Sequence, residues 1–331
     1  MNLTNIGLFV GSVVTQSRKM VLIDSKNTTT TIAQPSKRNS LMELYRFLFA
    51  LWVVWYHGYF LFQSQYFNHG YMAVEFFFIL SGFYLLRAIS RHQTDTFFGG
   101  LWKMLWGKIK SLGFTFVIGV VFVYWHMAIL GEPVLFGYLW YIPIMLLAST
   151  VVYTLKRLIK SNVAFIISLV VIIVVSYLIL YIPVLERFGV FRGLGALSLG
   201  VLASMIPKIS LKVKRFNFNW LITILLMVII ALLAFLPKED LVSEYFLVLL
   251  LMPTLVYFTS TLKVNVKFFN FLGSLSFALY SYQCVLRVLK CYFQLESYWF
   301  FLILIGLVAV DTTVKALIKL SKNRKASLAK A

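Results

Sequence analysis

Arg46 and His57 stand at the two ends of "RFLFALWVVWYH", a stretch with no other charged side chain. Eleven positions separate them. At about 100° per residue that is three turns plus about 20°, so a helix carries both on one face, roughly 16 Å apart along its axis. Ala50 and Val53 lie between them on that face and are small enough to leave room. An ionisable residue within an apolar helix costs about 2.5–3.5 kcal/mol on insertion scales and normally faces the protein interior or water. Two readings follow. In one, Arg46 snorkels to headgroups and His57 sits at the opposite interface. In the other, the face is a channel with a cation near one end and a proton acceptor near the other.

The next apolar stretch, "GYMAVEFFFILSGFYLL", carries Glu75 at a depth similar to His57. A carboxylate beside a histidine fixes its tautomer and raises its basicity. Glu75 is therefore a candidate orienter of a His57 base. The other partner within reach of the pattern is Arg192, in a later apolar segment. Ser81 and Gly82 suit close helix packing rather than nucleophilic chemistry, because no base is placed beside the serine.

These residues need a scaffold, and composition supplies its class. The chain has 331 residues, 61% apolar and 13% charged, against roughly half and a quarter in soluble domains. The apolar residues fall in blocks of about the length that crosses a bilayer as a helix. Ten blocks stand out, at 41–62, 71–86, 111–130, 138–155, 163–182, 190–206, 220–236, 242–261, 271–289 and 299–318. The expected fold is an all-α integral membrane protein of about ten transmembrane helices. Residues 1–36 read as an N-terminal tail, 37–320 as one polytopic domain and 321–331 as a basic C-terminal tail.

The net charge of +20 follows the same map. Of 31 lysines and arginines, 25 fall in the tails and one alternating set of loops, and four fall in the other set. The positive-inside rule then puts both termini in the cytoplasm. Topology and anionic lipid account for the basic excess, and no nucleic-acid partner is expected. Cys284 and Cys291 share a helical face seven residues apart, too far to bridge, and read as small core residues. Four histidines without a Cys/His cluster argue against a structural metal site.

In their joint order, several phrases resemble the acyltransferase family 3 membrane proteins. That family carries an Arg and a His with ten residues between them in its first span; here they are Arg46 and His57. "FFFILSGF" at 76–83, "WGKIKSLGF" at 106–114, "LWYI" at 139–142 and "FLGSLSFALY" at 271–280 resemble its later landmarks. The likeness covers roughly residues 37–320. Gln283 stands where many relatives have a histidine.

The resemblance implies transfer of an acyl group, usually acetyl, from cytoplasmic acyl-CoA to a hydroxyl of an extracytoplasmic glycan, in a bacterial cytoplasmic membrane. Acyl-CoA is then a donor substrate, and no cofactor is permanently bound. Arg46, with Lys108 and Lys110, is the candidate binder of CoA phosphates. His57 is the candidate general base or acyl relay, with Glu75 beside it. Trp55, Tyr59, Tyr141, Arg192 and Gln283 are candidate acceptor contacts. The rings of Trp52, Trp55, Tyr56 and Tyr59 serve equally as interface anchors. Some relatives carry an added hydrolase-like domain, so this chain is expected to act alone or to hand its group to a separate protein. The competing class is transport: a carrier or flippase for a glycan or lipid-linked sugar also uses intramembrane Arg, Glu and His.

Overall fold

A computed structural model of the chain describes residues 39–57, 70–130, 140–180, 189–209, 212–213, 216–234, 241–293 and 297–328. All of them belong to one compact unit, residues 38–331. Among the described residues the regular structure is helical apart from a two-residue antiparallel pair, Lys212–Val213 with Phe216–Asn217. In chain order the helices are α1 (Ser40–His57), a 3-10 turn (Gly70–Met72) leading into α2 (Ala73–Phe83), α3 (Leu85–Ser90), α4 (Phe97–Leu130), α5 (Tyr141–Leu158) and α6 (Asn162–Ile179). Then come α7 (Val190–Met205), α8 (Phe218–Ala234), α9 (Leu241–Phe246), a π turn (Leu247–Leu251), α10 (Met252–Thr261), α11 (Lys267–Phe293) and α12 (Ser297–Leu328).

A helix falls within each of the ten apolar blocks. Fewer are long and apolar enough to cross a membrane. Among the described residues there are four: Gly70–Ser90, Asn162–Ile179, Glu244–Thr261 and Trp299–Ile318. A bent pair, Phe97–Gly113 with Thr115–Val121, makes a fifth if counted as one span. The ten full-length spans expected from the pattern are thus reduced. The reason is physical: α7 and α8 have only 16 and 17 residues, α1 carries Glu43 and Arg46, and α5 ends on Lys156 and Arg157.

The α4 region departs from the expectation in another way. Residues 87–110 were expected as a basic loop, yet Phe97 onward is helical. Gly113 takes φ 61, ψ −149, a backbone open to glycine but strained for other residues. The helix turns there by 83°.

Helix ends gather in two groups. At one end, Asn39 Nδ2 donates to the carbonyls of Thr259 and Leu262 at 2.7 and 2.9 Å. Nearby, the Ser40 amide donates to Val264. Asn219 Nδ2 donates to the Ile209 carbonyl and to Thr261 Oγ1. Arg157, where α5 ends, donates to the Gln93 and Asp95 carbonyls beyond α3. The opposite end joins Tyr71, Glu75, Tyr177, Arg192 and Glu244. Helices that run alternately up and down produce this sorting.

Glycine sets the closest approach. A Cβ on Gly200 would collide with the Ile79 carbonyl, and one on Gly82 with the Leu197 carbonyl. The backbones of α2 and α7 therefore touch, as small residues permit between membrane helices.

Candidate functional site

The helix that carries Arg46 and His57 is α1, and His57 is its last helical residue. The His57 side chain and all of Tyr59 lie outside the described atoms, so the roles assigned to them are carried by sequence alone. Arg46 Nη1 donates to Glu43 Oε2 at 2.9 Å, one turn back on the same helix. That side chain is 33% exposed, and this is its sole hydrogen bond among the described residues. The other guanidinium donors remain for a ligand or solvent. Arg46 also lies within electrostatic reach of the Tyr84 hydroxyl, together with Glu43 and Arg87.

The room expected between Arg46 and His57 is not there. Ala50 and Val53 are buried, at 0% and 1% exposure. α11 packs parallel to α1 along this side. Gly273 lies against the Glu43 backbone. Farther along, Ala50 and Val54 cluster with Ala278, Leu279 and Tyr282. Small residues on the Arg46–His57 face admit a neighbouring helix instead of leaving a channel.

Tyr141, at the start of α5, is where distant segments meet. Its hydroxyl donates to the Phe77 carbonyl at 3.2 Å and lies 3.3 Å from Ser81 Oγ. Its ring stands 4.6 Å from that of Phe78 and 5.9 Å from that of Tyr280. Arg46 lies within electrostatic reach of the same hydroxyl. Phe76 in turn stacks on Phe49 of α1, centroids 3.9 Å apart. Four stretches far apart in sequence (around residues 46, 76–83, 141 and 280) thus converge.

Of the two partners considered for Glu75, the structure supplies Arg192. Arg192 Nε donates to Glu75 Oε1 at 2.9 Å, and the two side chains are 17% and 2% exposed. Tyr177 donates to Glu75 Oε2 at 3.1 Å. The guanidinium stands 4.8 Å from the Tyr71 ring centroid, and the Tyr71 hydroxyl donates to Glu244. Tyr245 meets Tyr177 edge to face, with centroids 5.9 Å apart. Both oxygens of Glu75 are therefore engaged within a network that ties the entry to α2 to α6, α7 and α9. A buried pair of this kind holds helices together, because either charge alone in the interior is costly.

The remaining candidates separate. Trp55 is 40% exposed and shares a row with exposed Leu48 and Leu51, the placement of a lipid or interface anchor. Lys108 and Lys110 stand two residues apart on α4, about 200° around the helix, so they do not form one phosphate clamp. Gln283 is 1% exposed, and both atoms of its amide lack a partner among the described residues. A buried, unpaired amide costs about 1–3 kcal/mol per group unless something joins it. That gives Gln283 stronger standing as a contact to a polar group than its position in the sequence did.

Two residues escaped the pattern. Arg87 lies about one turn past "FFFILSGF" and near Arg46 through Tyr84; it looked like one basic loop residue among five. Asp311, 2% exposed in α12, accepts from Thr115 at 2.7 Å and from Tyr282 at 3.1 Å, and pairs with Lys315 at 2.5 Å. A single acid inside the block 299–318 was its visible signal. Among the described residues no three His, Cys, Asp or Glu side chains come together as metal ligands. No family model, curated protein or solved structure matches this chain.

Proposed function

We propose that this chain is a polytopic membrane acyltransferase whose ten helical segments all cross or enter a bacterial cytoplasmic membrane, both termini inside. It moves an acyl group, acetyl in the simplest case, from cytoplasmic acyl-CoA to a hydroxyl of an extracytoplasmic glycan. The observation that carries this reading is the convergence at Tyr141. The phrases that resemble acyltransferase family 3 lie far apart in sequence, yet three of them meet there, within electrostatic reach of Arg46.

Arg46, assisted by Arg87, binds the donor's phosphates through the guanidinium donors that Glu43 leaves over. His57 takes the proton of the acceptor hydroxyl. The freed oxygen attacks the thioester carbonyl, the carbon–sulfur bond breaks, and the CoA thiolate leaves with the proton from His57. In the relay version the imidazole nitrogen attacks the thioester, the carbon–sulfur bond breaks and the thiolate leaves with the ring proton; the acceptor oxygen then attacks acyl-His57, the carbon–nitrogen bond breaks and the hydroxyl proton returns to the imidazole. Gln283 supplies a polar contact to the acceptor or to the acyl oxygen. Glu75 and Arg192 act as structural support for this site. Because Ala50 and Val54 are packed against Ala278 and Leu279, passage of the donor arm requires the α1–α11 seam to part.

The test compares ester-linked acetate on surface glycan from cells expressing the native chain or His57→Ala at matched membrane levels. The expected result is loss of the acetate in the variant. Equal acetate in both removes His57 from the reaction. The buried Glu75–Arg192 network favours a second reading, a proton-coupled carrier. Carriage that proceeds without acyl-CoA and leaves no ester on the product selects it.

A further inference from the structure

We infer that the first part of α4, up to the break at Gly113, lies in the plane of the inner membrane interface against anionic phospholipid. This rests on the reading that the chain spans the membrane with this end inside. Phe98, Trp102 and Trp106 are exposed at 78%, 64% and 51%. Steps of four residues advance about 40° around a helix, so the three rings form one slowly turning row. Trp102 and Trp106 stack at 5.9 Å. Next around the surface come Lys103, its side chain 58% exposed, and Lys110, also exposed. They are seven residues apart and point the same way.

The opposite side of this segment is fastened to the bundle. Met104 is 4% exposed, and a Cβ on Gly100 would meet the Tyr153 hydroxyl. Tyr153 donates to the Phe97 carbonyl at 3.0 Å. On the lysine side, Lys103 reaches Asp95 at 2.9 Å. The segment therefore cannot rotate its rings inward. The 83° turn at Gly113 takes the chain from this direction into Thr115–Val121. An aromatic row beside a lysine row, at a right-angled entry to an apolar helix, matches the chemistry of a headgroup layer: rings at the acyl boundary and ammonium groups on phosphates.

The experiment uses the full chain with Cys284→Ala and Cys291→Ala, reconstituted in phosphatidylcholine vesicles with phosphatidylglycerol. A nitroxide is placed in turn at Phe98→Cys, Trp102→Cys and Trp106→Cys, and its depth is read from oxygen against nickel-chelate accessibility. An in-plane helix gives three shallow, nearly equal depths. A crossing helix separates 98 and 106 by about 12 Å and overturns the inference. Labels open only to the nickel chelate, or shielded from both reagents by protein, overturn it as well. For the anionic part, phosphatidylglycerol is expected to raise the thermal midpoint of the native chain above that in phosphatidylcholine, and Lys110→Gln to lose part of the rise. An equal rise in both chains overturns that part. None of these readouts needs transferase activity, so the acyl-transfer reading fails or stands separately.

Discussion

Two arginines sit in apolar helices of this protein and are used in opposite ways. Arg192 is 17% exposed, pairs with a carboxylate 117 residues away and lies over a tyrosine ring. Arg46 is 33% exposed and, among the described residues, pairs only with Glu43 on its own helix, through one of its nitrogens. The first has its charge fully engaged between helices. The second keeps donors to spare. Burial of an arginine in a membrane helix is therefore not enough to mark a ligand site; what separates the two is how much of the hydrogen-bonding capacity the protein itself consumes.

The largest effect should come from the closed pair. Arg192→Ala leaves Glu75 without its cation and is expected to lower stability by about 3–5 kcal/mol, read as a loss of folded protein in detergent melts. Arg46→Ala should cost at most about 1 kcal/mol, as for a partly exposed ion pair. If the two variants lose equal stability, the contrast between the sites is wrong.

A second effect sharpens the support behind that pair. Gly200→Ala forces a methyl onto the Ile79 carbonyl and should destabilise by about 1–3 kcal/mol or more. A methyl at Gly107, where open space surrounds the position, should leave the melt unchanged. Arg46→Lys comes next. It keeps the charge but loses the planar fork, so on the proposed acyl-transfer reading KM for acyl-CoA should rise about tenfold, near 1.4 kcal/mol, with kcat little changed. A KM that does not move would take phosphate binding away from Arg46.

The smallest effect lies in the turn between α3 and α4. The Lys103 ammonium hydrogen-bonded to Asp95 holds its carboxyl below the usual carboxylate range. A depressed folded value means stability that is present above the ordinary carboxylate pKa and lost as pH falls through the lower value. Amide protection around residues 93–97 should weaken below about pH 4, and Lys103→Gln should shift that loss upward in pH.

Much of the helical scaffold was legible because apolar length is a property of each segment alone. Each apolar block holds a helix among its described residues, and the Arg46–His57 spacing placed both on one helix as expected. What the residues touch was not legible. The pattern admitted either partner for Glu75; Arg192 is brought to it by α2 packing against α7, and the His57 pairing lies outside the described atoms. Ala50 read as free space because nothing in α1 reveals that α11 will lie on it, and Val53 read so although it is buried in the main core. The basic segment 87–110 read as a loop because its lysines masked the aromatic row of Phe98, Trp102 and Trp106, which only the helix period brings together. Asp311 was visible as an acid in an apolar block, but its partners, Thr115 and Tyr282, come from helices that no local pattern joins to it.

The parallel seam of α1 with α11 also bears on how the protein is made. Asn39 finds its carbonyl partners 220 and 223 residues later. At roughly 5–20 residues per second, the ribosome needs about 10–45 s to reach them. For that interval, and until α11 follows, α1 is already synthesised, with Glu43 and its small-residue face still waiting for the helix that will cover them. A nascent chain stalled before α11 would present this face to the insertion machinery or to lipid, and quality control would meet it there first.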